Sequence, residues 1–171
     1  MSVLNITPSN FSTGRLCISV TIHEEVLLQS YIDEYEEIYL QDMLGCELYD
    51  LFVADLVGGV PQDAIYLSLY NKFCIDEDAC HVQVRSEGMI KMLEKFIYWE
   101  YQRDGKVEKS SSGNRVNLIE ASREASFTET NIYAVYNEGI NSYKAIQWFI
   151  CENEIDYPKF NGKRKDKTNF L

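Results

Sequence analysis

The chain has 171 residues, a hydrophobic fraction of 46% and a formal net charge of −11, which predicts one domain with a core of its own, needing no metal or disulfide support. Such acidity argues against a body that grips nucleic acid, because phosphates are repelled by a surface with no broad basic stripe. The charge is uneven: Lys159 to Leu171 carries +4 and the residues before it −15. No stretch approaches the roughly 18 apolar residues of a membrane span, and the N-terminus has no signal-peptide pattern, so the expectation is a chain synthesised in the cytosol and not tied to a membrane. Five cysteines without a C-x-x-C pair are expected to be reduced and mostly buried.

Residues 1–20 read as an extended N-terminal segment, in which Arg15 to Ile22 alternates and is β-branched enough to predict one short strand. Thr21 and Glu24 then have capping-box spacing, and a helix is expected to about Leu44. At 100° per residue Leu27, Leu28, Tyr31, Ile32, Tyr35, Ile38 and Tyr39 share a face, which predicts the buried stripe. Gly45 is expected in the left-handed conformation that closes this helix. A second helix is expected over Glu47 to Val57, ended by Gly58-Gly59-Val60-Pro61. A third runs from Pro61 to about Phe73, and the acidic Asp76-Glu77-Asp78 region reads as a connection. The fourth, about Glu87 to Arg103, spreads apolar residues over an arc of roughly 200° and so reads as central, contacted on two sides.

Residues 104–127 form a long polar loop that exceeds ordinary connections, with a protruding hairpin possible around Arg115 to Ile119. A fifth helix is expected from Thr128 to about Asn153, and Pro158 ends regular structure. The expected architecture is therefore mainly α. A bundle of four to five helices occupies residues 21–156, with a short N-terminal strand before it and an extended basic tail over 157–171.

Catalytic chemistry finds little to stand on. His23 and His81 are the two histidines, neither beside a recognisable nucleophile motif, and G-x-S-x-G, P-loop and G-x-G-x-x-G patterns are absent. Cys74, Asp76, Asp78, Cys80 and His81 cluster in sequence but lack the tight ligand pairs of a zinc site and the glycine turn of a calcium loop. Glu100 lies inside the apolar arc of the fourth helix, where it either has a raised pKa, or reaches the rim or pairs with a neighbouring cation. The reading is not an enzyme, with no catalytic, cofactor or metal site. Leu40 and Trp148 project off the expected core stripes and are candidate subunit contacts, unless the N-terminal strand or the long loop covers them. The tail combines Tyr157, Phe160, Phe170 and Leu171 with Lys163, Arg164, Lys165 and Lys167. It reads as a partner-binding arm or as a disordered solubilising end.

Tyr39-Leu-Gln-Asp-Met-Leu-Gly45 followed by Glu47-Leu-Tyr-Asp-Leu-Phe52, a central amphipathic helix, a long polar loop, a further helix and an extended tail resemble the head–tail connector (adaptor) proteins of tailed bacteriophages, from about Thr21 onward. The resemblance implies a structural virion protein at the neck. Its subunits would form a homo-oligomeric ring, commonly of twelve, that docks on the portal protein and joins it to the adjacent tail ring, with DNA only in passage. It implies that Tyr157 to Leu171 is a portal-docking arm and that the loop bearing Lys109, Asn114, Arg115, Val116 and Leu118 faces the channel or the next ring. On this reading, removing Asn161 to Leu171 leaves the bundle folded. The alternative is a small acidic regulator or inhibitor that binds a host protein as a monomer.

Overall fold

The computed structural model describes residues 2–18, 22–77, 82–105, 107–110, 113–116 and 122–167, without the side chains at 22–24, 77, 82, 105, 107–110, 113–116 and 122–130. The chain is mainly helical. Its helices are α1 (Ile22–Leu44), α2 (Cys46–Ala54), α3 (Ala64–Tyr70), α4 (Met89–Gly105) and α5 (Ser122–Glu152). Three antiparallel hairpins interrupt them: β1 (Leu56–Val57) with β2 (Val60–Pro61), β3 (Phe73–Glu77) with β4 (Val82–Ser86), and β5 (Val107–Ser110) with β6 (Gly113–Val116).

As its wide apolar arc requires, α4 is the central helix and packs against both α1 and α5. Phe96 is the joint. Its ring stacks on Tyr39 of α1 with centroids 4.2 Å apart and meets Tyr143 of α5 edge-on at 6.1 Å. On α5 the facing residue is Gly139, where a Cβ would lie 2.9 Å from the Phe96 ring, so the aromatic side chain occupies the space a larger residue would need. Stacked and edge-on aromatic pairs add to the area they bury, and this one fixes the spacing of three helices at once.

The buried face of α1 is rotated from the one its tyrosines suggest. Leu28, Ile32, Glu36, Tyr39, Leu40, Met43 and Leu44 are buried, whereas Leu27 and Ile38 are exposed. Leu40, expected as a subunit contact, is fully buried and belongs to the core of its own subunit. The rotation follows from what covers α1: α2 folds back on one side, and the N-terminal segment lies across it.

Over its described residues, 2–18, that segment is not a strand. Pro8–Phe11 and Gly14–Leu16 are single 3-10 turns, the Ile18 amide closes onto the Phe11 carbonyl at 2.8 Å, and α1 has begun by Ile22. Among the described residues the segment pairs with no strand, and Leu4, Ile6, Phe11 and Ile18 are buried in the bundle. Its amides are met by buried acids: Glu36 accepts from Val3 (2.9 Å) and Leu4 (2.6 Å), and Glu94 from the Asn10 side-chain amide (2.9 Å). Arg15 pairs with Glu138 on α5. Burial raises the Glu36 carboxyl pKa against the opposing pull of its hydrogen bonds.

α2 is shorter than its pattern predicts, because Val57 and Val60 flank a two-residue turn in which Gly58 and Gly59 have φ of +59° and +78°. Two positive φ values are what the tight hairpin turn requires. α3 starts at Ala64, where Asp63 caps it by accepting from the Ile65 amide at 2.9 Å. Pro61 sits in β2 rather than in the first helical turn. The acidic connection is a hairpin, Phe73 opposite Ser86 through Glu77 opposite Val82, with an Ile75–Val84 pair that the surrounding charges obscure in the sequence. The four cysteines described, Cys17, Cys46, Cys74 and Cys151, are free and exposed, contrary to the expected burial. The capping box at Thr21 lies outside the described residues, as do Cys80 and His81.

Replacing Glu36 by Ala strips the buried Leu4 amide and the part-buried Val3 amide of a charged acceptor. A loss of about 2–4 kcal/mol is expected in urea denaturation. A loss below about 0.5 kcal/mol, the range of an ordinary surface substitution, would show that the N-terminal segment does not depend on this carboxylate.

Candidate interaction site at the C-terminal strap

A helix leaves its last carbonyls without partners inside the helix. In α1 these include the carbonyls of Asp42, Met43 and Leu44, and here they are met by the chain's own C-terminal segment. The Asn161 amide donates to the Leu44 carbonyl (3.3 Å), the Lys163 amide to the Asp42 carbonyl (2.6 Å), and Gln147 Nε2 of α5 to the Met43 carbonyl (3.1 Å). Gln147 Nε2 also donates to the Lys163 carbonyl (2.9 Å), to which the Tyr143 hydroxyl adds a second bond (2.5 Å). Residues 159–167 are thus a strap laid across the α1–α2 corner and tied down to α5.

Glycine makes the approach close enough. Gly45 joins α1 to α2 at φ +80°, ψ 156°, outside the left-handed helical region expected and in one open essentially to glycine alone. A Cβ there would stand 2.7 Å from the Asn161 backbone, and one on Gly162 would collide with the Met43 carbonyl.

Charge reinforces the seat. The C-terminal end of a helix is electronegative and favours cations, and Lys163 and Lys165 meet Asp42 at 2.7 and 3.0 Å, with the Lys165 ammonium 4.3 Å from the Tyr39 ring centroid. Lys159 pairs with Glu47 and Lys144 of α5 with Asp166. Burial pulls the Asp42 carboxyl up, but the hydrogen bonds from Lys163 and Lys165 outweigh it and hold it below the ordinary aspartate value.

Beside the strap lies a buried polar cluster. Glu100 Oε1 accepts from the Tyr39 hydroxyl at 2.7 Å. Its Oε2 lies 2.6 Å from Arg103 Nη2, an ion-pair contact without hydrogen-bond alignment. Burial raises the Glu100 pKa, and burial with the Glu100 bond raises that of Tyr39. Both sequence readings of Glu100, a raised pKa and a cation partner, therefore apply together. Arg103 also covers the Trp99 ring at 4.7 Å. The cluster ties α1 to α4 beneath Lys165.

The residues singled out in the sequence fall in different places. Tyr157 is buried, its hydroxyl donating to the Ile65 carbonyl of α3 at 2.8 Å, so it is a core residue of its own subunit. Phe160 is half-buried against the core, Lys163 and Lys165 are spent on Asp42, and Arg164 and Lys167 are exposed. Trp148 is half-buried on α5 between two grooves. Lys109, Asn114, Arg115 and Val116 lie on the β5–β6 hairpin, with Lys109 opposite Asn114 and Val107 opposite Val116. Leu118, Phe170 and Leu171 lie outside the described residues. Among the described residues no three His, Cys, Asp or Glu side chains converge to hold a metal ion, and no helix is long and apolar enough to cross a membrane.

Sequence reasoning missed Asp42, Tyr143 and Gln147, the receiving side of the strap. The signal for Gln147 was a polar residue on the apolar face of α5.

A depressed carboxyl contributes stability that is present above its unfolded value and lost as pH falls through its folded value. The strap is therefore expected to stay seated through the ordinary aspartate range and loosen below it, followed by the Lys163 amide resonance. Asp42→Asn should abolish that transition, and its persistence would assign the effect elsewhere. Gly14 and Gly45 both have positive φ, but nothing lies within 4 Å of a Cβ at Gly14. Gly14→Ala should cost about 1–2 kcal/mol and Gly45→Ala at least about 1 kcal/mol more. The excess should shrink in a chain truncated before Asn161 to the part owed to the Gly45 backbone conformation, and an excess unchanged by truncation would deny the close approach.

No protein-family model, curated protein or solved structure matches the chain.

Proposed function

We propose that the chain is a structural subunit of the head–tail connector ring of a tailed bacteriophage, joining the portal to the tail around the DNA path. The observation that carries this reading is the strap: the segment likened to a docking arm is seated on the Tyr39-to-Phe52 corner, the stretch on which the family resemblance rests. A segment held by two helix-end carbonyls and by ion pairs of its lysines can leave its seat when a partner offers equivalent acceptors, since exposed pairs contribute little each. Around a ring, many weak arms add to a strong attachment. The acidic body suits a channel through which DNA passes without adhering.

The seated strap changes the effect of truncation. Removing Asn161 to Leu171 uncaps α1 as well as deleting an arm, so the truncated chain is expected to be less stable and not merely unattached. Arg164 and Lys167 offer the cleaner test, because they are exposed and neither forms an ion pair among the described residues. Arg164→Glu with Lys167→Glu should leave the circular dichroism and melting temperature unchanged while weakening co-sedimentation with the portal about tenfold, roughly 1.4 kcal/mol. Wild-type co-sedimentation of that variant would refute the arm. A chain that binds a single host protein and never the portal would favour the regulator reading.

A further inference from the structure

Trp148 stands between two grooves that run along the outer side of α5. One, of about 620 Å³, is walled by β4 and holds Arg85, Asn141, Lys144 and Trp148. The other, of about 550 Å³, is walled by the strap and shares Lys144 and Trp148 with the first. The acids of the first groove are already occupied: Glu138 pairs with Arg15 and Lys95, and Glu87 with Lys95. Arg85 is exposed and has no ion-pair partner among the described residues. The trench therefore presents Trp148 with the unspent positive charge of Arg85, Lys144 being paired with Asp166, on a chain whose net charge is −11.

The matching surface is on α1. Val26 is 73% exposed, Leu27 50% and Ile38 42%, and Glu34 and Glu37 are exposed between them. At 100° per residue these five fall within an arc of about 120°. Nothing in the described chain covers this face, whose combination of acids and large apolar side chains is what a trench with an unpaired arginine beside a tryptophan would accept. The lengths agree too. From Val26 to Ile38 is about 18 Å of helix, and from Glu138 to Cys151, the extent of the trench along α5, about 20 Å.

We infer that the α5 trench of one copy receives the outer face of α1 of the next, with Trp148 set against Leu27 and Ile38 and with Arg85 facing Glu34 and Glu37. Because the two patches differ, the contact is head-to-tail and propagates around a ring instead of stopping at a two-fold dimer. The inference rests on the ring reading above and specifies its subunit interface.

Two full-length variants test it: Arg85→Glu with Trp148→Ala, which spoils the trench, and Leu27→Glu with Ile38→Glu, which spoils the α1 face. Arg85→Glu alone serves if the tryptophan change unfolds the chain. Native mass spectrometry across a concentration series should show self-association of the wild type and a dissociation constant at least tenfold weaker for either variant. An equimolar mixture of the two should give heterodimers that grow no further, since one sound trench and one sound α1 face remain between them. Wild-type rings that both variants still form would overturn the assigned faces and leave the ring reading standing. Weakening by the trench variant alone would give the trench to another occupant and overturn the inference. A wild type that stays monomeric at every concentration, with and without portal, would overturn both.

Discussion

Three carbonyls at the end of α1 set the terms for the rest of the molecule. α1 turns into α2 at Gly45 without a spare residue, so Asp42, Met43 and Leu44 have no room to find their acceptors' partners in a longer cap. Buried carbonyls left unpaired are costly. The chain meets them with segments from far along the sequence, Gln147 on α5 and the amides of Asn161 and Lys163. This makes the spacing of α1 and α5 depend on the strap, and the strap's path depend on two glycines that let backbone meet backbone. The basic charge of the tail then has a local cause. Cations beside Asp42 and the electronegative end of α1 hold in place a segment with little apolar area of its own.

The N-terminal segment is organised by the same logic with the sign reversed. Its amides seek acceptors, and buried Glu36 and Glu94 supply them. A buried carboxylate is tolerated where several donors surround it, and here the donors come from a segment that has no regular structure to satisfy them internally. Both end segments are therefore fastened to α1 by polar contacts, the N-terminal one also to α4 and the strap also to α5, while the aromatic stack of Tyr39, Phe96 and Tyr143 fills the space between.

What was legible in the sequence follows from this division. Helices whose burial is settled by apolar periodicity were readable, α4 most of all, because its wide arc states that it has neighbours on two sides. α1 was readable as a helix but not in its rotation: tyrosines at the rim of the core looked like its centre, and Glu36, a charged residue in the most buried position, looked like surface. Leu40 was misplaced for that reason. The β3–β4 hairpin was hidden because period-two alternation over five residues was overlaid by Asp76 and Glu77. The strap was legible as a charge anomaly and illegible as a contact. Its partners are backbone carbonyls, which every residue carries and no sequence pattern marks.

Those same features separate what the fold uses from what it leaves over. Lys159, Lys163, Lys165 and Asp166 have partners within the chain, and Tyr157 and Leu40 are in its core. Stability accounts for them fully. It does not account for Val26, Leu27 and Ile38 on an uncovered helix face, nor for Arg85 beside a half-exposed tryptophan, since each would be better replaced by a polar or neutral residue in a chain that acted alone. Single exposed apolar residues need no explanation. Five residues on one arc of α1, opposite in charge to a trench of matching length on α5, are a different matter, because separate accidents would not agree in charge, extent and chemistry.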